Sequence, residues 1–430
     1  MTEDNTLLIR NARIFGFPAS ATQDVLIESG RVKAVADNIE TPSSGCLEID
    51  GKGMTLLPGL VDLHVHLREP GYSYKETVRT GSEAAAAGGF TTVCTMPNLN
   101  PVPDSMETLQ RQLDIIGRDA VVEVLPFAAI TKERMGTELV DYQALAPYVA
   151  GFSDDGSGVQ SSEVMERAMT AIAPTGKMLA AHCEVDALLK GGYIHDGEYA
   201  RKHGHRGICS ESEWEEVKRD IELAEKTGCR LHICHISTAE SVELVRRGKE
   251  RGVKVTCETG PHYLIMCDED LREEGRFKMN PPLRSRRDMM ALRRGIADGT
   301  IDVIATDHAP HSDQEKARGL EKSAMGVVGL ETSLGAIYKY MVGENVISFE
   351  RMVELMAINP RLLLGREYDF LQPGSRADLT LVDLDRTWRV EPDRFRTMGR
   401  ATPFEGMEMK GKVMATLYGG KIAYIDDSIK

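Results

Sequence analysis

The sequence has no long apolar run and no basic segment followed by an apolar one near its first residue. No stretch of eighteen consecutive apolar residues occurs among its 430 residues, and the opening MTEDNTLLIR is polar and acidic. A membrane helix needs about 20 apolar residues, and a secretory leader begins with a basic segment. We therefore expect a cytoplasmic protein with no membrane partner.

Excess positive charge and paired cysteines are also missing. The formal net charge is −14, from 52 lysines and arginines against 66 aspartates and glutamates, which argues against a nucleic-acid partner. The eight cysteines are scattered and form no Cys-x-x-Cys pair, so we interpret them as reduced core residues of a cytosolic enzyme. A few local arginines are still enough to hold a small anionic substrate.

What the sequence does contain is two strand-rich ends around a different middle. Four terminal segments alternate apolar and polar residues around glycine-containing turns, as antiparallel strands with one buried face do. They are residues 7–16, 24–36, 377–385 and 410–424. We predict that residues 1–57 and 366–430 form one small β-sandwich domain, and that residues 58–365 form the main domain.

The middle of the chain alternates apolar runs with helix-length amphipathic segments, such as 75–88, 162–173 and 239–251. Eight runs have the continuous apolar character of buried parallel strands. They are residues 59–66, 90–95, 121–127, 149–153, 178–183, 230–235, 253–258 and 302–307. Eight strand–helix units predict an α/β fold of the (β/α)8 (TIM) barrel type, with its active site at the carboxyl ends of the strands. The alternative is an open, doubly wound sheet.

Side chains that bind metals recur at the carboxyl ends of these runs. His64 and His66 end the first run two residues apart, so both imidazoles point to the same face of a strand. The later candidates are Asp154 or Asp155 after the fourth run, His182 after the fifth, His235 after the sixth and Asp307 after the eighth. Because these strand ends share one face of a barrel, we predict a single metal centre of four histidines and two carboxylates.

The donor set indicates the kind of metal. Imidazole and carboxylate ligands without thiolate suit Zn²⁺ in a hydrolytic site, with Mn²⁺, Fe²⁺ or Co²⁺ as substitutes. Six ligands exceed the four of a closed structural site and fit two ions about 3.5–4 Å apart that share one carboxylate. Metal binding lowers the pKa of water, which supplies a nucleophile near neutral pH. Sequence alone leaves open whether one or two ions bind.

Seven segments, in order along the predicted barrel, resemble type I dihydroorotases of the amidohydrolase superfamily. They are DLHVHLREPG (62–71), AAAAGGFTTVCTMPN (84–98), SDDG (153–156), AHCE (181–184), CHIST (234–238), KMNPPLR (278–284) and ATDHAPH (305–311). The resemblance implies the reversible ring closure of N-carbamoyl-L-aspartate to L-dihydroorotate in pyrimidine biosynthesis. It also implies Zn²⁺, a homodimer and aspartate transcarbamoylase as a candidate partner.

The same resemblance implies roles for individual residues. The implied metal ligands are His64 and His66 for the first ion and His182 and His235 for the second. Asp307 would complete the first site and carry a proton from water to the leaving amide nitrogen. The implied substrate contacts are Arg68, Asn98 and His311 for the carboxylate, and Asn280, Met325 and Gly326 for the ring.

The sequence departs from the common family pattern at two places. Many superfamily members bridge their metals with a carboxylated lysine after the fourth strand, where this chain has Asp154 and Asp155. It resembles the branch with aspartate there, and Asp155 aligns with the bridging ligand, but sequence does not show which carboxylate faces the site. At residues 323–326 the chain has Ser-Ala-Met-Gly where relatives usually have Pro-Phe-Gly, so methionine replaces an aromatic ring.

Two further questions stay open at this point. The polar residues 312–325 suit either a mobile flap over the site or an ordinary solvated loop. The competing functions are another cyclic amidase, such as a hydantoinase or allantoinase, and a non-catalytic scaffold for aspartate transcarbamoylase. The first group generally carries the bridging lysine and the second usually lacks metal histidines, so a dihydroorotase is favoured.

Overall fold

Both ends of the chain contribute strands to one eight-stranded sheet in the computed structural model, which describes residues 6–18, 20–42 and 45–429. Its strands are Leu7–Ile14, Thr22–Glu28, Arg31–Ala36, Leu47–Asp50, Thr55–Pro58, Leu379–Arg389, Glu408–Tyr418 and Lys421–Ile425. Leu7–Ile14 branches the sheet, because it pairs with Leu47–Asp50 and with Thr55–Pro58 along the same edge. Apolar side chains from both ends share one buried core. A small β domain built from both ends of the chain is therefore confirmed, with its described strands in one branched sheet and not in the two sheets of the predicted sandwich. The domain boundaries stay a prediction.

The middle of the chain forms the predicted (β/α)8 barrel. Its strands, numbered one to eight below, are Leu60–Val65, Phe90–Thr95, Glu123–Pro126, Gly151–Phe152, Met178–Ala181, Arg230–Ile233, Val255–Thr259 and Val303–Ile304. Single-residue parallel bridges close the ring, from Ala128 to Phe152 between strands three and four and from Val65 to His308 between strands one and eight. Closure of the ring excludes the open-sheet alternative.

Helices follow the strands as the alternation predicts. The longer ones are Val78–Ala87, Met106–Asp119, Ser162–Ile172, Glu211–Thr227, Ala239–Glu250, Arg286–Asp298 and Leu330–Ile337. The shorter ones are Tyr142–Leu145, Asp186–Leu189, Glu198–His203, Pro261–Ile265, Asp313–Lys316, Gly319–Lys322, Phe349–Val353 and Asn359–Leu363. A serine or threonine begins five of the longer helices by accepting a hydrogen bond from the backbone N–H three residues later, which stabilises a helix start. Within the described ranges, no helix is long and apolar enough to cross a membrane.

The connection between strands Leu379–Arg389 and Glu408–Tyr418 leaves the small sheet and contacts barrel loops. The backbone N–H of Thr397 donates to Glu331 at 3.1 Å, and its hydroxyl donates to the buried Glu76. The backbone N–H of Val328 donates to the carbonyl of Ala401 at 2.9 Å. Glu76 follows strand one, and Val328 and Glu331 follow strand eight, so this connection supports two loops of the barrel's carboxyl face.

Candidate metal and substrate site

The carboxyl ends of five barrel strands bring the predicted metal ligands together. His64 lies in strand one, and the others follow strands one, four, five, six and eight within three residues. All six are buried: His64, His66, Asp155, His182, His235 and Asp307. Two groups of these residues each place three ligand atoms within 4.8 Å of one another. The first group is His64, His66 and Asp307, and the second is His64, Asp155 and His235.

The carboxylate of Asp155 lies among all four imidazoles. The distances from its Oδ1 are 3.3 Å to His64 Nε2, 3.5 Å to His182 Nδ1 and 3.5 Å to His235 Nε2, and its Oδ2 lies 3.5 Å from His66 Nε2. The second carboxylate is at one side, with Asp307 Oδ1 at 3.1 Å from His66 Nε2 and 3.5 Å from His64 Nε2. One central and one lateral carboxylate is an arrangement in which two cations can share a ligand.

Asp154 points elsewhere, although it is adjacent in sequence. Its Oδ1 accepts hydrogen bonds from the backbone N–H groups of Ile130 at 2.8 Å and Thr131 at 3.1 Å, and its Oδ2 accepts one from the Thr131 hydroxyl. Asp154 therefore holds the loop after strand three, and Asp155 is the carboxylate that faces the histidines.

The ligand cluster contains polar atoms that no described protein group satisfies. His64 Nε2, Asp155 Oδ1 and His182 Nε2 are buried without a hydrogen-bond partner among the described residues. A buried polar atom left unpaired costs about 1–3 kcal/mol. Unpaired lone pairs on imidazole and carboxylate groups are what a metal cation binds, so these residues fit a metal centre.

The electrostatics of the cluster favour positive charge. Burial alone would raise the pKa of Asp155, but the charge of His64 and the nearby imidazoles of His182 and His235 hold it well below its usual value. Burial would lower the pKa of His182, but the carboxylates of Asp155 and Glu184, 3.5 Å and 3.6 Å from the ring nitrogens, raise it to about 10. The carboxylates therefore hold protons on His64 and His182 in the absence of metal, at the place that a cation would take.

Glu258 is a site residue that the sequence prediction missed. It is fully buried in strand seven, where its Oε1 lies 2.7 Å from His64 Nδ1 and its Oε2 lies 3.1 Å from His232 Nε2. A carboxylate on the far nitrogen of a metal-binding imidazole fixes its tautomer and orientation. The signal was present, because Glu258 ends the seventh apolar run as the predicted ligands end theirs.

A cavity of about 230 Å³ borders the ligand cluster. Every predicted site residue except the fully buried His64 lines it: His66, Arg68, Asn98, Asp155, His182, His235, Asn280, Asp307, His311, Met325 and Gly326. Gly156 and Ala309 complete the lining. The structure therefore brings the two predicted groups of residues, for metal and for substrate, to one space.

The predicted carboxylate-binding side chains are held by neighbours in the site. Arg68 is buried and its Nε donates to the carbonyl of Pro310 at 3.2 Å; burial lowers its pKa to about 10, so it stays a cation at neutral pH. Asn98 Oδ1 lies 2.9 Å from His66 Nδ1, which leaves its amide N–H groups as donors. His311 Nε2 donates to the carbonyl of Met325 at 2.8 Å.

The ring-binding side contains an unpaired acceptor. Asn280 Nδ2 donates to Glu184 Oε2 at 3.1 Å, whereas its Oδ1 is buried with no partner in the part of the chain that the structure describes. Such an acceptor suits a ring N–H.

Three of the site residues have a strained backbone. The φ angles of Arg68, His235 and Asp307 are +60°, +32° and +47°. Residues other than glycine adopt this region rarely, at a cost of about 1–3 kcal/mol each, and such residues cluster at functional sites. The strain directs these side chains into the site as each strand ends.

The segment after strand eight is folded. Residues 312–325 contain two one-turn helices, Asp313–Lys316 and Gly319–Lys322, and Lys316 and Ser323 are buried. It is therefore more ordered than an ordinary solvated loop; whether it moves as a flap stays a prediction.

Comparison with known proteins identifies the family. Residues 53–241 match the Dihydro-orotase-like family. A dihydroorotase of Fusobacterium nucleatum subsp. nucleatum is 47% identical over 421 residues, which are 98% of this chain and 99% of that protein. The chain belongs to the dihydroorotase family. A dihydroorotase of Halalkalibacterium halodurans is 44% identical over 425 residues, 98% of this chain and 99% of that protein.

Solved structures of related enzymes share the fold. An L-hydantoinase (dihydropyrimidinase) from Arthrobacter aurescens superposes with a TM-score of 0.87 at 25% identity, over 99% of this chain and 97% of that one. A D-hydantoinase from Thermus sp. gives 0.83 at 24% identity, over 98% and 95%. These similarities confirm the barrel with a β domain, and membership of the dihydroorotase family confirms the family and enzyme class that the sequence motifs imply.

Proposed function

We propose that this member of the dihydroorotase family interconverts N-carbamoyl-L-aspartate and L-dihydroorotate with two Zn²⁺ ions. The observation that carries the proposal is the Asp155 carboxylate, which lies within 3.5 Å of all four histidines. The adjoining cavity contains the buried Arg68 cation, and both compounds carry a carboxylate that a guanidinium binds through paired hydrogen bonds.

The proposed ligand assignment follows the contacts. His64, His66 and Asp307 would hold one ion, His182 and His235 would hold the other, and Asp155, which lies among all four imidazoles, would be shared. When bound there, Zn²⁺ polarises the amide carbonyl and lowers the pKa of water.

Asp307 is the proposed proton carrier. Its Oδ1 lies against His66 at 3.1 Å, and hydrogen bonding to His66 lowers its pKa although burial alone would raise it. During ring opening the carboxylate takes a proton from the attacking water and donates it to the leaving amide nitrogen. During ring closure it takes the proton from the ureido nitrogen and returns it to the departing water.

The substrate is held from two sides in this proposal. Arg68 and the Asn98 amide bind the carboxylate, with His311 beside them. The unpaired Asn280 Oδ1 accepts a hydrogen bond from a ring N–H, and the backbone at Met325 and Gly326 closes the cavity.

The Arg68 cation in the cavity distinguishes a dihydroorotase from cyclic amidases whose substrates lack a carboxylate. Dihydrouracil has the same cyclic amide as dihydroorotate but lacks the carboxylate, so it would leave Arg68 buried and unpaired. A buried charge without a partner is costly, which favours dihydroorotate. The presence of all six ligands argues against a non-catalytic scaffold.

A direct assay tests this function. Purified protein should open L-dihydroorotate and leave dihydrouracil almost unchanged. Its activity should be lost with a chelator and return with Zn²⁺. Elemental analysis would give the number of Zn²⁺ ions per chain. Asp307→Ala should abolish turnover. Equal turnover of the two rings, or an active Asp307→Ala variant, would contradict the proposal.

The equilibrium position gives a second check. Ring opening converts a monoanion into a dianion and a proton, because both carboxyl groups of the open form are ionised near neutral pH. Each rise of one pH unit between pH 6 and 8 should therefore increase the equilibrium ratio of N-carbamoyl-L-aspartate to L-dihydroorotate about tenfold. A pH-independent ratio would show that a different reaction is being measured.

We also infer a cytoplasmic homodimer that is able to bind aspartate transcarbamoylase. Sedimentation of the purified protein, alone and with that enzyme, tests both associations, and a monomer that sediments independently would contradict them.

A further inference from the structure

The Lys316 ammonium is buried among backbone carbonyls beside the cavity. The side chain follows strand eight and the residue is 7% exposed. Its Nζ donates to the carbonyls of Lys278 at 3.0 Å, Ala324 at 2.8 Å and Gly326 at 2.7 Å. An ammonium has three N–H groups, so each has an acceptor. Burial lowers the pKa of Lys316 to about 7, and three surrounding acceptors are what stabilise its charged form.

Two of these carbonyls flank a turn that lines the cavity. Ala324 and Gly326 stand on either side of Met325, whose carbonyl accepts the hydrogen bond from His311. Gly326 has a φ of +134°, and a Cβ there would lie 2.7 Å from the carbonyl oxygen of Ala309. The turn therefore has little freedom once both peptides are anchored, and it fixes the direction in which the His311 ring points.

The third carbonyl belongs to the segment that carries Asn280. The Lys278 carbonyl accepts hydrogen bonds from Lys316 and also from the backbone N–H of Gly326 at 3.1 Å. Two residues later, Asn280 borders the cavity. Lys316 thus joins, through one side-chain nitrogen, the segment that positions His311 and the segment that positions Asn280.

We propose that Lys316 is a positioning residue that sets the spacing between the carboxylate-binding and ring-binding sides of the cavity. This role rests on the proposed function, which assigns those sides to His311 and Asn280. Lys316 is absent from the described cavity lining, so its effect reaches the substrate through the backbone of residues 278 and 324–326.

Lys249 offers a matched control. Its Nζ also donates to a backbone carbonyl, that of Thr300 at 2.8 Å, and to Asp302 at 2.7 Å. These partners precede strand eight, at the opposite end of the barrel from the cavity. Lys249→Met therefore removes a comparable lysine anchor without touching the site.

The test compares Lys316→Met, Lys316→Gln and Lys249→Met in Zn²⁺-loaded protein. Lys316→Met should raise the KM for L-dihydroorotate, and the Kd for the planar analogue orotate measured by calorimetry, by about tenfold, because small displacements of binding groups are costly. Its kcat and metal content should change less. Lys316→Gln supplies amide N–H donors, so its KM and its Kd for orotate should lie between those of Lys316→Met and of wild type. Lys249→Met should lower thermal stability alone.

Wild-type KM and orotate affinity in Lys316→Met would overturn the role of Lys316. If that variant does not fold, the same result in Lys316→Gln would overturn it. Wild-type protein that neither opens dihydroorotate nor binds orotate would instead contradict the proposed function, so the two failures are distinguishable.

Discussion

His64 Nδ1 lies 2.7 Å from Oε1 of Glu258, and this contact turns Nε2 of the same ring toward Asp155 and Asp307. His232 holds the other oxygen of Glu258. Burial alone would raise the pKa of Glu258, but the charge of His64 and the hydrogen bond with His232 keep it far below its usual value. Glu258 is therefore an anion that orients a ligand from behind.

Replacing Glu258 with glutamine should weaken metal binding. The amide removes the charge and one acceptor behind His64, and loss of such a group typically costs about 10–100-fold in metal affinity. Competition with a chelator measures the affinity in the absence of substrate. The control is Glu123→Gln, at the first residue of strand three and the opposite end of the barrel. Equal losses in the two variants would contradict an orienting role.

Substitutions at the adjacent aspartates should have different effects. Asp155→Asn should lower the bound metal measured by elemental analysis, because it removes the carboxylate that the histidines surround. Asp154→Ala should keep the metal but lower the free energy of unfolding in urea by about 1–3 kcal/mol, since the N–H groups of residues 130 and 131 lose their acceptor. The reverse pattern would show that the two roles are exchanged.

Arg68→Lys should raise the KM for dihydroorotate by about 10–100-fold. Lysine keeps the positive charge but cannot donate two parallel hydrogen bonds to a carboxylate. Hydrogen bonds to charged groups contribute about 1.5–3 kcal/mol. Steady-state kinetics measure this change. The control Arg230→Lys alters an arginine that donates to the carbonyls of Gly176 and Leu363 near the start of strand six. A similar KM increase in both variants would indicate a general structural effect.

The ion pair between Glu123 and Arg366 should make stability depend on acidity. Arg366 Nη2 donates to Glu123 Oε1 at 2.7 Å, and although burial raises the pKa of Glu123, the arginine lowers it below its ordinary value. A lowered folded-state pKa stabilises the fold above the unfolded-state pKa of about 4.3, and this contribution is lost as pH falls through the folded value.

Glu123→Gln should accordingly cost about 2 kcal/mol at pH 7 and flatten the fall in unfolding free energy between pH 6 and 3. Urea titrations at several pH values measure both effects. Parallel curves for wild type and variant would exclude a contribution from this pair.

The barrel and most of the ligand set could be predicted from sequence because they depend on simple periodicities. Buried parallel strands are continuous apolar runs, and alternate residues of a strand share a face, which placed His64 and His66 together. The choice between Asp154 and Asp155 was beyond sequence, since the chain leaves strand four before residue 154 and its turn decides which carboxylate faces inward.

Other site features leave a weaker trace in the sequence. Glu258 ends the seventh apolar run, so it could have been predicted from the same pattern that identified the metal ligands at the carboxyl ends of the other runs. Lys316 was not recoverable, because its partners are backbone carbonyls, which every residue type offers. The polar composition of residues 312–325 left a mobile flap and a solvated loop equally open, and it did not reveal that Lys316 and Ser323 would be buried there.

The connection that crosses from the small sheet to Glu76 and Glu331 has a consequence for how this protein can change during evolution. A barrel inherited without the last forty residues would lose not only part of the small sheet but also the donors that hold the loops after strands one and eight. The small sheet and the barrel are therefore joined by more than the chain connections, through the hydrogen bonds of Thr397 to Glu331 and Glu76. A recombination event between them would have to preserve the hydrogen bonds of Thr397 with Glu76 and Glu331. Otherwise the loops at the carboxyl face of the barrel would lose their support.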